Sequence, residues 1–158
     1  MALIDSLPDG ALERMWREHA DALVRLATVL VGPSEANDIA TEAFLRAAVA
    51  AQHPDVERPR ALLLRAVVNR AHDLRRSNER RWRRDLAAVG PAATSSPDSH
   101  VDVRRAVSNL SLQQRSVLYF VYWEDLTEAQ TAELLGLSPG TVRRHLVRAR
   151  DHLRKALS

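Results

Sequence analysis

The sequence contains no cysteine, which excludes disulfide bonds, thiolate metal sites and cysteine nucleophiles. Its six histidines are scattered without the short spacing of a zinc site, and its five glycines are isolated rather than gathered in a phosphate-binding loop. No serine or carboxylate pair stands in a recognisable catalytic motif. We therefore expect a protein that is not an enzyme and that holds no metal or cofactor.

Long apolar runs are also lacking. None approaches the ~18 residues needed to span a bilayer. The N-terminal residues include Asp5 and Asp9 and lack the basic flank and apolar core of a signal peptide. We expect a cytoplasmic protein without membrane insertion.

The scarcity of lysine draws attention to the arginines, since Lys155 is the only lysine. Residues 58–84 carry ten arginines against two acidic residues, and residues 138–157 carry six basic residues against one. The net charge is only +3, so the rest of the chain is acidic. A coding bias explains arginine in place of lysine, but not the clustering. The two basic blocks indicate two separate contacts with a polyanion.

Apolar residues recur at helical spacing over most of the chain, which predicts an all-α protein. A first helix is expected over Ala11–Val31, where a Gly-Pro pair ends it. A second helix begins with Ser34 as its cap and continues towards residue 53. A third spans residues 59–87, with proline in its first turn. These helices predict an N-terminal bundle over residues 1–87.

The second half is separated by a segment of linker composition. Residues 88–100 are small, polar and proline-bearing, which predicts a flexible linker between domains 1–87 and 101–158. A helix is expected over residues 101–109. Three more helices follow it, each with its own start signal: Ser111 with Gln114 for a helix to about Trp123, Thr127 with Gln130 for one ending at Gly136, and Ser138 with Pro139 for the last.

The last two helices, Glu128–Leu135 and 139–157, are joined by a short turn and match a helix-turn-helix arrangement. A helical wheel of the last helix gathers its apolar residues on one face: Val142, Leu146, Ala149, Leu153 and Leu157. The outer side is basic, and the free backbone amides after the cap favour a phosphate. A merely solvated helix is the alternative, but we predict that the residues on this side bind DNA: Ser138, Thr141, Arg143, Arg144 and Arg148.

The third helix carries a different pattern. Its apolar face comprises Leu63, Leu64, Val67, Val68, Ala71 and Leu74, and the opposite side is lined by Arg65, Asn69, Asp73 and Arg76, with Leu62 in its middle. The extension RRSNERRWRR places Trp82 among arginines. Such residues suit contacts with unstacked bases and phosphates. The alternatives are that they form ordinary solvated surface or that they bind a membrane surface.

The chain resembles the small bacterial extracytoplasmic-function sigma factors, and among them the actinobacterial sigma-E-like subfamily. The stretch ANDIATEAFLRA resembles the part of region two that binds the polymerase clamp helices. LLLRAVVNRAHDLRRSNERR resembles the melting and minus-ten recognition segment. LSLQQRSVLYFVYWEDLTEAQTAELLGLSPGTVRRHLVRARDHLRKAL resembles region four, which reads the minus-thirty-five element.

The resemblance implies two small helical domains joined by a linker: a three-helix region two and a four-helix region four with the helix-turn-helix. It also assigns residues. Those in the clamp-binding helix are Asp38, Glu42, Phe44 and Arg46. Those beside the melted minus-ten strand are Arg65, Asn69, Asp73, Arg76 and Arg80, with the loop 52–58 helping to select a flipped base. Those facing the minus-thirty-five duplex are the five named above on the last helix.

The implied partners are core RNA polymerase, through its beta-prime clamp helices and beta flap, promoter DNA and an anti-sigma factor. Two positions depart from the family pattern, since Thr41 stands where glutamine is usual and Leu62 where tryptophan is frequent. A LuxR-like transcriptional regulator is the alternative function, because such proteins share a module resembling residues 111–155. A helical adaptor that binds only protein would leave both basic blocks without a role.

Overall fold

The structure is a computed structural model that describes residues 10–85 and 99–158, and the side chains of residues 10–78 and 102–158. These ranges contain helices and no strand, which confirms the all-α prediction. The helices are α1 Ala11–Val31, α2 Pro33–Ala51, α3 Pro59–Asp85, α4 Ser99–Ser108, α5 Leu112–Leu118, α6 Glu128–Leu135 and α7 Pro139–Ala156. Within the described ranges, none of the helices combines the length and apolar content needed to cross a membrane.

The core of the N-terminal half is formed first by α1 and α2. Three leucines at helical spacing on α1 are at most 1% exposed: Leu23, Leu26 and Leu30. Trp16 meets Phe44 of α2 edge to face, with ring centroids 5.1 Å apart. The two helices are thus held side by side by apolar contact along their lengths.

A single glycine makes the corner between α1 and α2. Gly32 has φ 88° and ψ 168°, a conformation that only glycine adopts readily, and its N–H donates to the carbonyl of Thr28. Pro33 then takes the first position of α2. The prediction of Ser34 as the cap is therefore wrong: Gly32 is the capping residue, because Pro33 with its fixed φ already starts the helix.

The predicted apolar face of α3 is confirmed for five of its six residues, which are at most 3% exposed: Leu63, Leu64, Val67, Val68 and Ala71. Leu74 is only half-buried. On the flank of this face Arg70 donates to the carboxylate of Glu42 on α2. An ion pair at the edge of the apolar contact joins the two helices.

The second unit packs α5, α6 and α7 around one core. Val117, Ala132, Val142 and Leu146 form its centre, and partly buried apolar residues surround them. Phe120 of the same unit is also fully buried. The last turn of α7 departs from the prediction, since Leu153 is half-buried and Leu157 is 49% exposed. That turn contributes little to the core.

Local capping signals set the helix starts of the second unit as predicted. Ser111 with Gln114 and Thr127 with Gln130 each form a reciprocal capping box. Gly136 ends α6 at φ 67°, and Ser138 caps α7 with Pro139 next. The helix from Ser111 departs from the prediction after Leu118, because residues 119–123 form one π-helical turn, in which the N–H of Glu124 reaches back to the carbonyl of Tyr119.

The chain divides into two compact units, Met1–Ala71 and His72–Ser158, so the division falls within α3. The predicted domains meet instead at the linker 88–100. Residues 88–98 of that linker lie outside the described residues, and α4 begins at Ser99 rather than at residue 101. The predicted boundaries stay a prediction.

Candidate nucleic-acid interface

The first turn of α7 is organised by its cap. The Oγ of Ser138 accepts the N–H of Thr141 at 3.1 Å, and the two hydroxyl oxygens lie 2.9 Å apart. Nη2 of Arg144 in turn donates to the Thr141 hydroxyl at 3.2 Å. The turn therefore holds one arginine in place at the helix end where the backbone amides and the dipole favour anions.

The remaining predicted residues of α7 lie outside its core face. Arg143, Arg144 and Arg148 are exposed, whereas Val142 and Leu146 are buried. One helix thus anchors itself in the core and presents a basic side to solvent. This arrangement suits a recognition helix, because phosphates and base edges must be reached by groups that the core does not need.

Arg143 has a partner on the preceding helix. Its Nε lies 3.0 Å from Oε2 of Glu128, the first residue of α6. The arginine side chain is 72% exposed and the glutamate 35%. The ion pair spans the helix-turn-helix and ties the Arg143 guanidinium to the preceding helix through Nε.

His145 lies between the predicted arginines. Burial lowers its pKa, and the nearby charges of Arg148 and then Arg144 lower it further. The ring is therefore neutral at pH 7. Its Nδ1 is buried without a hydrogen-bond partner among the described residues. His145 thus adds no charge to this basic side of the helix.

Exposed apolar side chains were missed by the reasoning from sequence. Val147 of α7 is 58% exposed, and its position on the wheel, outside the core face and one turn from Arg143, was the available signal. Tyr122 and Trp123 are also about 60% exposed. The guanidinium of Arg150 lies over the Tyr122 ring, 5.4 Å from its centroid, so this arginine is held by an aromatic face.

The polar side of α3 is a continuous exposed row. Arg65, Asn69, Asp73 and Arg76 are all exposed at turn spacing, and Arg76 pairs with Asp73 at 2.6 Å. Leu62 in the same region is half-buried. The side chains of Arg80 and Trp82 lie outside the described residues. The row has the donors and acceptors that base edges require, on a helix fixed by its opposite face.

The loop 52–58 lies between α2 and α3. Most of its residues are exposed, and the backbone N–H of Asp55 donates to Nδ1 of His53 at 3.3 Å. The amide nitrogen of Gln52 is buried and has no hydrogen-bond partner among the described residues. A buried donor without an acceptor is uncommon in proteins and leaves this loop with unused hydrogen-bonding capacity.

The predicted polymerase-binding residues of α2 do not share one surface. Asp38 and Arg46 are exposed, and Glu42 is half-buried in its pair with Arg70. Phe44 is only 5% exposed and packs against Trp16. Its assignment to a binding surface is corrected, because a ring enclosed by α1 supports the helix from beneath. Leu45, which sequence reasoning did not select, is 64% exposed beside Arg46.

Comparison with family models matches both halves of the chain. Residues 15–81 match the model described as Sigma-70 region 2, and residues 100–153 match Sigma-70, region 4. The first match includes the polar row of α3, and the second includes α6 and most of α7. A LuxR-like regulator would not account for the match to region 2.

Full-length relatives extend this similarity. The chain is 34% identical to the ECF RNA polymerase sigma factor SigL of Mycobacterium tuberculosis, over 94% of this chain and 90% of that protein. It is 31% identical to SigM of the same organism, over 93% and 77% respectively. The fold is similar to that of the sigma factor RpoE of Bartonella quintana, solved with the anti-sigma factor NepR, at a TM-score of 0.74, with 21% identity and coverage of 94% and 97%.

Proposed function

Because the chain belongs to the extracytoplasmic-function sigma factors of RNA polymerase, we propose that three of its helices divide the work of promoter recognition. In this proposal α7 reads the minus-thirty-five duplex, α3 contacts the melted minus-ten strand, and α2 binds core polymerase. The observation that carries the proposal is the first turn of α7, where the cap at Ser138 positions Arg144 at an exposed, electropositive helix end.

The minus-thirty-five contact uses both properties of that turn. The amides that follow Ser138 attract a phosphate, which sets the depth and angle of the helix in the major groove. Arg144 then lies where recognition helices contact bases, and Thr141 holds it there. Arg148 is one turn farther along and makes no hydrogen bond or ion pair with a described residue, so it is available to a phosphate.

The minus-ten contact is assigned to the polar row of α3. Separated bases expose their hydrogen-bonding edges, and the row from Arg65 to Arg76 offers an amide, a carboxylate and two guanidinium groups. Arg80, whose side chain lies outside the described residues, is assigned to the same contact from its place in the sequence alone. The loop 52–58, most of whose residues are exposed, accepts one flipped base in this proposal.

Polymerase binding is assigned to the exposed side of α2. Asp38, Thr41, Leu45 and Arg46 share this side and combine an apolar centre with charges of both signs. The clamp helices of the beta-prime subunit are the surface assigned to it. Glu42 contributes indirectly, since its pair with Arg70 fixes α2 against α3.

The domain limits, the beta-flap contact and the anti-sigma factor belong to the same proposal. Residues 1–87 form region two, residues 88–100 the linker and residues 101–158 region four, whose non-DNA side binds the beta flap. A sigma factor of similar fold was solved with an anti-sigma factor, which supports an inhibitor of this kind here. Because core polymerase and chromosomal promoters are in the cytoplasm, the proposal includes a cytoplasmic location.

The test is promoter-specific transcription. Purified protein added to core polymerase is expected to start transcripts at discrete genomic sites that core polymerase alone does not use. Arg144→Ala is expected to lower initiation at these sites by roughly fivefold or more, as for the loss of one base contact. It should leave the amount of sigma factor bound to core polymerase unchanged.

Arg154→Ala is the matched control, since Arg154 is an exposed arginine of the last turn of α7 that lies 3.6 Å from Asp151. It should initiate like the unaltered protein. Tight binding to isolated duplex without any transcript on genomic templates would refute the proposal.

A further inference from the structure

We propose that Glu128 is a positioning residue that gives Arg143 its selectivity for a base over a phosphate. This inference rests on the proposed function, because it assumes that α7 enters the minus-thirty-five duplex. It concerns a residue on the other helix of the helix-turn-helix, one that its position in the sequence did not single out. The juxtaposition that carries it is the 3.0 Å contact between Nε of Arg143 and Oε2 of Glu128.

The contact leaves one edge of the guanidinium available. Arg143 donates to Glu128 through Nε, and its two terminal nitrogens make no hydrogen bond to a described residue. Paired N–H donors on one planar edge match the O6 and N7 acceptors of guanine, and also match two oxygens of a phosphate. The geometry therefore defines the ligand as a pair of adjacent acceptors.

The carboxylate decides between these two sources. A phosphate carries a full negative charge, and a carboxylate at hydrogen-bond distance from the arginine opposes its approach. A guanine edge carries only partial charges, so the carboxylate costs it little. A glutamate here weakens unspecific attraction to DNA and keeps an oriented donor edge, which increases discrimination at the expense of total affinity.

The surroundings of Glu128 support a fixed geometry. It is the first residue of α6, after a cap in which Thr127 and Gln130 bond reciprocally, so its backbone is held at both ends of that turn. Its side chain is 35% exposed. Its position at the N-terminus of α6 also suits a negative side chain, because the positive end of the helix dipole lies there. The flexible arginine thus gains a defined direction from a short, anchored partner.

The experiment compares sequence discrimination by holoenzymes. Core polymerase with the unaltered full chain selects binding sites from a duplex pool randomised over one helical turn, and the selected duplex and a scrambled one are then the probes. Glu128→Gln removes the charge with little change of shape. We expect it to bind the scrambled duplex a few-fold more tightly and to lower the ratio of selected to scrambled affinity by roughly fivefold or more, the equivalent of one base contact.

Two further variants isolate the pair. In an Arg143→Ala background, Glu128→Gln should change the affinity ratio no further, because the partner that it orients is gone. Glu133→Gln removes the charge of another, exposed residue of α6 and should leave the ratio unchanged. Thermal unfolding of each variant identifies any loss of fold, which would lower both affinities rather than their ratio.

The outcomes separate the two proposals. A lower ratio with Glu128→Gln, absent in the Arg143→Ala background, supports the positioning role. Equal gains on both duplexes mean that Arg143 contacts a phosphate, and overturn it. If the unaltered holoenzyme selects no sequence, the assignment of α7 to the minus-thirty-five element fails, and this inference fails with it.

Discussion

A single threonine in α6 shows how one hydroxyl affects stability. Thr131 is fully buried, and its Oγ1 has no hydrogen-bond partner among the described residues. A buried hydroxyl without a partner loses its hydration without compensation. Thr131→Val replaces it with a methyl group of similar shape, so we expect the free energy of unfolding to rise by about 1 kcal/mol. Thermal unfolding followed by circular dichroism measures the change.

The same substitution four residues earlier is the control, with the opposite sign. The hydroxyl of Thr127 accepts the N–H of Gln130 and caps α6. Thr127→Val removes this cap and should destabilise the protein by about 1 kcal/mol. If both variants lower the midpoint of thermal unfolding, the hydroxyl of Thr131 contributes a stabilising contact, and its description as an uncompensated buried group is wrong.

Two neighbouring residues show how an element separates its support from its binding surface. On α2, Phe44 faces Trp16 and is buried, whereas Leu45 points outward. We expect Leu45→Ala to weaken binding to core polymerase by roughly fivefold or more, as for loss of an apolar interface anchor. Its free energy of unfolding should stay within about 0.5 kcal/mol of the original. Fluorescence binding assays and thermal unfolding distinguish the two effects.

Phe44→Ala should instead act on stability and lower the free energy of unfolding of its unit by about 3–5 kcal/mol, because the ring is buried. Val103→Ala, at a 46% exposed residue of α4, controls for loss of surface apolar area. Unchanged polymerase binding by Leu45→Ala would remove this side of α2 from the interface.

Elements also differ in how well sequence predicted them. The starts of α5, α6 and α7 were predicted because a cap joins residues three positions apart, a purely local interaction. The start of α2 was predicted two residues late, since proline competed with the Ser34 signal. The π turn after Leu118 was not predicted, because no residue type there marks a shift from α-helical bonding.

At the scale of the whole molecule, the two basic blocks make promoter binding dependent on salt. Each phosphate neutralised by an arginine releases counterions, so log affinity falls with log salt concentration at a slope set by the number of contacts. We expect Arg148→Ala to reduce this slope by about one and to weaken binding to all sequences equally. Filter binding of the holoenzyme over a salt series measures the slope.

Arg150→Ala is the matched control, because the guanidinium of Arg150 is held over Tyr122. Its slope should equal that of the unaltered protein. A loss of affinity confined to the selected duplex would instead make Arg148 a base contact.

The sequence alone determined the helical class, most helix limits, most of the apolar faces of α3 and α7 and the location of the basic residues. All of these depend on residues a few positions apart, whose geometry a helix dictates. Spacing likewise selected Ser138, the four arginine and threonine residues of α7 and the four described residues of the α3 row, and their roles stay predictions.

Tertiary structure decided which of these side chains are available. Glu128 and Arg143 are 15 residues apart, Glu42 and Arg70 are 28 apart, and so are Tyr122 and Arg150. Phe44 similarly lies under α1 rather than at a surface. Such pairs form only when helices pack, because the packing angle and register set which long side chains can meet. Local spacing places an arginine on a face, and the neighbouring helix determines what that arginine can bind.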